Sequence, residues 1–107
     1  MKNKIKPSLL EWTIGKVKGF DGKELINIEQ GGVKLIKISP LSIYPDHVHP
    51  DKTEYAYVIA GNPEMMIDNQ QYTGEPGDFF IFPTAKRHAI KNKTETECLL
   101  LIGAIKN

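Results

Sequence analysis

Short apolar segments separated by turn-forming residues constrain this chain more than any other feature of its sequence. Nine glycines and seven prolines are spread along it. The segments between them are rich in Val, Ile, Leu, Phe and Tyr, a pattern typical of strands bounded by turns. It predicts an all-β fold, either a sandwich or a small antiparallel β-barrel. The predicted strands cover residues 33–38, 41–44, 54–60, 64–68, 71–73, 78–82, 88–91 and 98–102.

The first 20 residues fit this pattern less clearly. Ser8 to Gly15 is compatible either with a short helix capped by Ser8 or with an edge strand. A chain of 107 residues is too short for two independent hydrophobic cores. We therefore predict one domain over residues 1–107, with residues 1–20 as an N-terminal segment and the barrel over residues 33–105. The pair Asn69-Gln70 predicts a tight hairpin turn between two strands.

The charge and the apolar runs of the chain argue against several classes of partner. Its formal net charge is +1, so nothing suggests a strong attraction to nucleic acid. The longest apolar run is too short to span a membrane, and no secretory signal pattern follows the first lysines. Cys98 is the only cysteine and lies in an apolar run, which favours a buried thiol. We expect a cytoplasmic protein without nucleic-acid or membrane partners.

Two histidines and a glutamate stand close together in the middle of the chain. His47 and His49 are two residues apart in a strand-like stretch, so their side chains point to the same face. Pro50 cannot donate to a strand ladder, which predicts that the strand ends there. Residues 51–53 then form a turn, and Glu54 begins the returning strand of a hairpin. Paired strands lie about 5 Å apart, so Glu54 would reach a metal held by the histidines.

A third histidine, His88, lies in a similar setting. It follows a β-rich run, Pro83 and a short turn, and it begins the next predicted strand. Nothing local brings it to Glu54, so its approach is a prediction of the closed fold. Three imidazoles and one carboxylate bind divalent Fe, Mn, Ni, Zn, Co or Cu. Because the set has no thiolate, it does not indicate a closed structural zinc site, and a six-coordinate ion would keep positions for water, substrate or dioxygen.

Both stretches match the two sequence motifs of the cupin superfamily, which the chain therefore resembles. The first motif is Gly, His-x-His, Glu and Gly at set spacings, and the second is Gly, Pro-x-Gly, His and Asn. One glycine of each motif is replaced here, by Leu41 and by Ala85. The positions that correspond to the motifs, including these two replacements, are Leu41, His47, His49, Glu54 and Gly61 for the first motif, and Gly77, Pro83, Ala85, His88 and Asn92 for the second.

The resemblance implies a fold, a partner and a set of ligands. Its fold is a small jelly-roll β-barrel of two antiparallel sheets, commonly paired into homodimers. Its metal ligands correspond to His47, His49, Glu54 and His88 of this chain. Leu41 and Ala85 stand at turn positions, so their departure from glycine concerns the shape of the loops rather than metal binding.

Further residues are candidates for the lining of the pocket. Ala56 and Val58 share the strand face of Glu54, so small side chains leave space beside the metal. Both faces of residues 79–82 carry aromatic or large apolar side chains, and either face is compatible with a pocket wall. Arg87 next to His88 is able to bind a carboxylate or phosphate, although a solvated loop arginine is the simpler interpretation. Tyr44 and Asp46 flank His47 and are candidates to support it.

Three functions are compatible with these residues. The first is a metal-dependent enzyme acting on a small oxygenated metabolite, such as a sugar, hydroxy acid or diketone, as a dioxygenase, isomerase or lyase. The second is a non-catalytic module that binds or senses a small ligand around a structural metal. The third is a protein that acts through its dimer surface. The fold hosts many chemistries, so the site must decide among them.

Overall fold

The structure, a computed structural model, describes residues 2–107 as ten strands in two antiparallel sheets. A short 3-10 helix, Pro7–Leu9, precedes them. The strands are β1 Thr13–Ile14, β2 Phe20–Ile28, β3 Gly31–Ile38, β4 Ile43–His47, β5 Lys52–Ala60, β6 Glu64–Ile67, β7 Gln70–Thr73, β8 Phe79–Phe82, β9 His88–Lys91 and β10 Cys98–Lys106.

The two sheets face each other in a jelly-roll arrangement, which confirms the all-β prediction. The larger sheet has six strands in the order β1-β2-β3-β10-β5-β8, and the smaller has four in the order β4-β9-β6-β7. All the strand pairs that join these neighbours are antiparallel. Among residues 2–107, no helix has the length and apolar character that crossing a membrane requires.

The core lies between the sheets, and β10 shows how it gives way to a cavity. The inward positions of β10 begin with Cys98 and Leu100, which are both fully buried. They continue with Ile102 and then change to the small Ala104 and the charged Lys106. Large apolar side chains therefore fill one end of the interior, while the other end is left open. The buried core cluster consists of Phe20, Ile38, Ala56, Val58, Met65, Phe82, Ile90, Cys98 and Leu100.

Most predicted strands are present, and the edge-strand alternative for Ser8 to Gly15 is confirmed at Thr13–Ile14. No helix is capped by Ser8: the 3-10 helix ends at Leu9, and Thr13–Ile14 pairs with β2 as an edge strand. Sequence reasoning did not identify β2, which belongs to the larger sheet and precedes residue 33. Its second half is largely exposed, so polar residues interrupt the apolar alternation that reveals a half-buried strand.

The hairpin turn between β6 and β7 is displaced by one residue from its predicted place. Ile67 pairs with Gln70, so the two turn residues are Asp68 and Asn69, with φ angles of 48° and 66°. A type I′ turn requires positive φ at both central residues, and Asn and Asp tolerate that conformation best among residues with side chains. The predicted pair Asn69-Gln70 was therefore wrong, because Gln tolerates positive φ less well than Asp.

Leu41 and Ala85 adopt the backbone conformation that favours glycine. Their φ angles are 61° and 63°. A side chain in this left-handed region costs about 1–2 kcal/mol relative to glycine. Leu41 is 71% exposed, so it gains little packing in return. The two motif positions that depart from glycine in sequence therefore retain the turn geometry of glycine at a cost in backbone strain.

We expect Leu41→Gly and Ala85→Gly each to stabilise the chain by up to about 1 kcal/mol. Relief of strain outweighs the greater flexibility of glycine in the unfolded chain, which costs about 0.5–1 kcal/mol. Gly77→Ala is the matched control: its φ is 96° and nothing lies within 4 Å of an added Cβ, so backbone strain alone should destabilise it. Urea unfolding measures all three, and a loss of stability in both glycine variants would contradict the argument.

Candidate metal centre

The four predicted ligands come from both sheets and from one connection. His47 ends β4 and His88 begins β9, and the two residues are direct partners in the smaller sheet. Their ring centroids lie 4.1 Å apart. His49 lies in the connection between β4 and β5, and Glu54 faces the histidines from β5 in the larger sheet. The closed fold therefore brings His88 to Glu54, as the sequence analysis expected.

The route by which Glu54 reaches the histidines differs from the prediction. β4 and β5 do not form a hairpin, because β4 pairs with β9 while β5 pairs with β8 and β10. The connection between β4 and β5 instead crosses from one sheet to the other. The predicted hairpin was wrong, since both edges of β5 are taken by other strands. Glu54 approaches the histidines across the interior rather than along a ladder.

The ligand atoms of the four side chains converge closely enough to hold one metal ion. All four lie within 4.8 Å of one another. Nε2 of His49 is 2.9 Å from Oε1 of Glu54, and Nε2 of His88 is 3.4 Å from the same oxygen. Ligands on opposite sides of a metal at about 2.2 Å lie about 4.4 Å apart, so small side-chain shifts complete the fit. Neutral imidazoles and a carboxylate without thiolate suit a divalent transition metal.

Neighbouring groups fix the orientation of the histidine rings. Nδ1 of His47 donates a hydrogen bond to the carbonyl oxygen of Pro45 at 2.8 Å, which leaves the lone pair of Nε2 free to bind a metal. The backbone N–H of Ala85 donates to the carbonyl oxygen of His49 at 2.8 Å and joins the two ligand-bearing loops. The ring of Phe82 stacks on His88 with centroids 4.5 Å apart. These contacts orient the rings of His47 and His88 and tie the connection that carries His49 to the loop before β9.

Burial and charge set protonation states that suit metal binding. Burial lowers the pKa of His47 and of His49, because desolvation penalises the imidazolium form. Burial raises the pKa of Glu54, but the hydrogen bond from His88 and the nearby His49 and Lys52 outweigh it, so its pKa lies below the usual value. These shifts favour the neutral imidazoles of His47 and His49 and the ionised carboxylate of Glu54, which are the forms that bind a metal.

The site opens into a cavity of about 470 Å³. Tyr44 lines it and packs against His47 with ring centroids 4.6 Å apart. Phe82 also lines it, whereas Phe79 on the opposite strand face is 56% exposed. The inward face of residues 79–82 is therefore the one that forms the wall.

Arg87 and Asp46 lie outside the cavity lining. They form an ion pair with each other, and both side chains are largely exposed. This arrangement fits the simpler interpretation of Arg87 as a solvated loop residue. Among residues 2–107, the side chain of Asp46 hydrogen-bonds to Arg87, while the ring of His47 bonds to the backbone of Pro45 instead.

Sequence reasoning missed the lysines of the cavity. Lys52 lies two residues before Glu54 on the same strand, so strand periodicity alone places it on the inward face. Lys34 and Lys106 also line the cavity, but only the strand register reveals them.

Known protein sequences are similar to most of this chain. A family model described as a cupin domain matches residues 34–103. The chain is similar to germin-like protein subfamily 2 member 4 of Arabidopsis thaliana, with 28% identity over an alignment that covers 92% of the chain and 49% of that protein. The chain spans about half the length of the curated relatives it matches.

Solved structures share the fold at low identity. A protein described as a predicted oxalate decarboxylase, from Thermotoga maritima, superposes with a TM-score of 0.89 and 18% identity over 97% of this chain and 99% of that one. A sugar phosphate isomerase of Silicibacter pomeroyi superposes with a TM-score of 0.86 and 22% identity over 97% of this chain and 76% of that one. Identities this low show a shared fold and leave the activity to be argued from the site.

Proposed function

The chain belongs to the cupin family, and from this premise we propose that it is a metal-dependent enzyme acting on a small oxygenated metabolite. The observation that carries the proposal is the convergence of four ligand atoms within 4.8 Å at the wall of a cavity of about 470 Å³. A structural metal needs no such space, whereas a substrate does.

The residues of the site have distinct roles in this proposal. His47, His49, His88 and Glu54 would hold one divalent transition metal among Fe, Mn, Ni, Zn, Co and Cu. Such an ion, with coordination positions left open, supplies Lewis acidity toward the oxygens of a sugar, hydroxy acid or diketone. Phe82 keeps the ring of His88 in place and forms an apolar part of the cavity wall beside it.

The similar structures support several reaction classes without choosing among them. One relative is described as a decarboxylase, which is a lyase, and another as an isomerase. We therefore propose a lyase, an isomerase or a dioxygenase. Oxygen consumption during turnover separates the dioxygenase from the other two, because only that reaction uses dioxygen.

Turnover by the metal-loaded chain tests the proposal. Metal-free protein is reloaded with Mn, Fe, Ni or Zn and offered a panel of sugars, hydroxy acids and diketones, with products followed by mass spectrometry. We expect turnover by the wild type and a loss of about 100-fold or more in Glu54→Gln, which keeps the shape but removes the charged ligand. Glu64→Gln outside the cavity is the matched control and should keep full activity.

A different outcome would favour the non-catalytic alternative. If the loaded chain retains a ligand from the panel and releases it unchanged, the chain is a binding module around a structural metal. If it binds no metal at all, both metal-dependent functions are abandoned.

The homodimer and the cytoplasmic location stay predictions. The outer face of the larger sheet supports the homodimer, because Tyr57 and Ile59 of β5 and Phe79 and Ile81 of β8 are 40–56% exposed there. Exposed apolar surface of this kind marks an interface. The mass of the protein in solution, measured by light scattering, tests it.

A further inference from the structure

Lysines dominate the charge of the cavity that holds the candidate metal centre. Lys16, Lys34, Lys52 and Lys106 line it, and Glu54 is the only carboxylate among the lining residues. With neutral histidines, four ammonium groups and one carboxylate give the lining a formal charge of +3, although the whole chain carries only +1. The net positive charge of the chain therefore comes from the cavity lining, since the ten basic and twelve acidic residues outside it sum to −2.

Two of these lysines face each other across neighbouring strands. Lys52 of β5 is the direct register partner of Lys106 of β10. Like charges directly opposite each other destabilise a sheet. Within residues 2–107, none of the four lysines lies within ion-pair distance of a carboxylate. The fold thus keeps a like-charged pair without an acidic partner at the open end of the cavity, with Lys52 half-buried and Lys106 exposed, and an external anion bound there would supply the missing charge.

The strand register places this pair beside a row that contains two small residues, Ala104 and Gly32. Glu54, Ala104 and Gly32 form one row across β5, β10 and β3. Lys52 and Lys106 form the next row toward the strand ends, and Lys34 lies in the row on the other side. Rows on the same face are about 6.8 Å apart, so small residues leave a space bordered by ammonium groups on both sides.

Lys52 also lies close to the metal ligands. It stands two residues before Glu54 on β5, and both side chains line the cavity together with His49. A group held by Lys52 would therefore sit beside a molecule whose other oxygens reach the four ligands. The two ends of one small metabolite fit these two neighbouring subsites.

We propose that the substrate is an anionic metabolite whose carboxylate or phosphate group is bound by Lys52 and Lys106, with Lys34 adding charge from the opposite side. Its remaining oxygens face His47, His49, His88 and Glu54. This inference rests on the proposed function and narrows it, because neutral sugars and diketones are excluded as preferred substrates.

Anion binding by the metal-free chain tests the inference. Calorimetric titration at constant ionic strength uses sodium phosphate, sodium malonate and malonamide, the neutral diamide of malonate. We expect at least one anion to bind and malonamide not to bind. Lys52→Met and Lys106→Met should each raise the dissociation constant of that anion by about tenfold, which is the contribution of one charge-assisted hydrogen bond. Lys4→Met, an exposed lysine outside the lining, should change it by less than about twofold.

Each outcome bears on the inference. Binding of phosphate alone indicates a phosphorylated substrate, and binding of malonate alone indicates a carboxylic acid. Equal binding of malonamide, no binding of either anion, or unchanged anion binding by Lys52→Met would overturn it. Because Lys106 is exposed, Lys106→Met should fold normally and gives an independent measurement. Thermal unfolding without anion provides a further check, since removing one lysine of the repulsive pair should not lower stability.

Metal binding measured on the same proteins separates this inference from the proposed function. Lys52→Met and Lys106→Met should still take up metal through their four intact ligands. A wild type that binds metal and turns over only neutral substrates overturns the anionic substrate and leaves the metal-dependent enzyme standing. A wild type that binds anions but no metal overturns the metal-dependent enzyme and leaves the anion subsite standing.

Discussion

We expect a divalent metal in thousandfold excess over its dissociation constant to raise the free energy of unfolding of the wild-type chain by about 4 kcal/mol. For a domain of this size that gain corresponds to a rise in Tm of about 15–30 °C. His47→Ala should lose most of it, because the smaller side chain removes one of four converging ligands. Thermal unfolding with and without Mn, Ni or Zn measures the difference.

The neighbouring residue provides the control for this experiment. Asp46→Ala truncates an exposed side chain that pairs with Arg87 outside the cavity, so it should keep the full metal-dependent gain. If His47→Ala gains as much from metal as the wild type, the four-ligand site is wrong. If the wild type itself gains nothing, the fold carries the ligand set without using it.

Asn92→Ala should lower the free energy of unfolding by about 2–3 kcal/mol, because it leaves one buried and several half-buried polar groups without their partner. The Asn92 side chain is only 1% exposed. Its amide nitrogen lies 2.8 Å from the carbonyl oxygen of Thr96 and 3.2 Å from those of Ile38 and Ser39. Its oxygen accepts from the backbone N–H and the hydroxyl of Thr94. One side chain thus ties the end of β3 to the loop before β10.

Asn62→Ala provides the matched comparison for Asn92→Ala. The side chain of Asn62 is exposed and donates one hydrogen bond, to the carbonyl oxygen of Gly74 at 3.1 Å. Its loss should cost about 1 kcal/mol or less. Urea unfolding of both metal-free variants gives the two values. An Asn92→Ala variant no less stable than Asn62→Ala would show that the network contributes little.

Local spacing was sufficient to predict that His47, His49 and Glu54 meet, but it predicted neither the approach of His88 nor the path of the backbone between them. His47, His49 and Glu54 lie within one short stretch, and any fold that closes this stretch onto itself brings them together. The sequence does not show which strand pairs with β5, because that depends on the distant β8 and β10. The hairpin prediction therefore failed although the predicted cluster formed.

Register also limited what could be predicted of the cavity. Strand periodicity is able to place Lys52 beside Glu54, but the opposition of Lys52 and Lys106 needs the pairing of β5 with the end of the chain. The strand β2 was missed for a related reason: its exposed second half lacks the apolar alternation that local analysis detects. Long-range pairing, rather than residue preference, decided both features.

The gathering of every histidine at one place makes the protein its own spectroscopic probe. The chain has three histidines, and all of them belong to the candidate metal centre. Each imidazole signal in a nuclear magnetic resonance spectrum therefore comes from this centre, and no histidine elsewhere in the chain adds an overlapping signal. A paramagnetic ion bound there would broaden the whole set at once, and a diamagnetic ion would shift it. Occupancy can thus be followed in the unmodified chain.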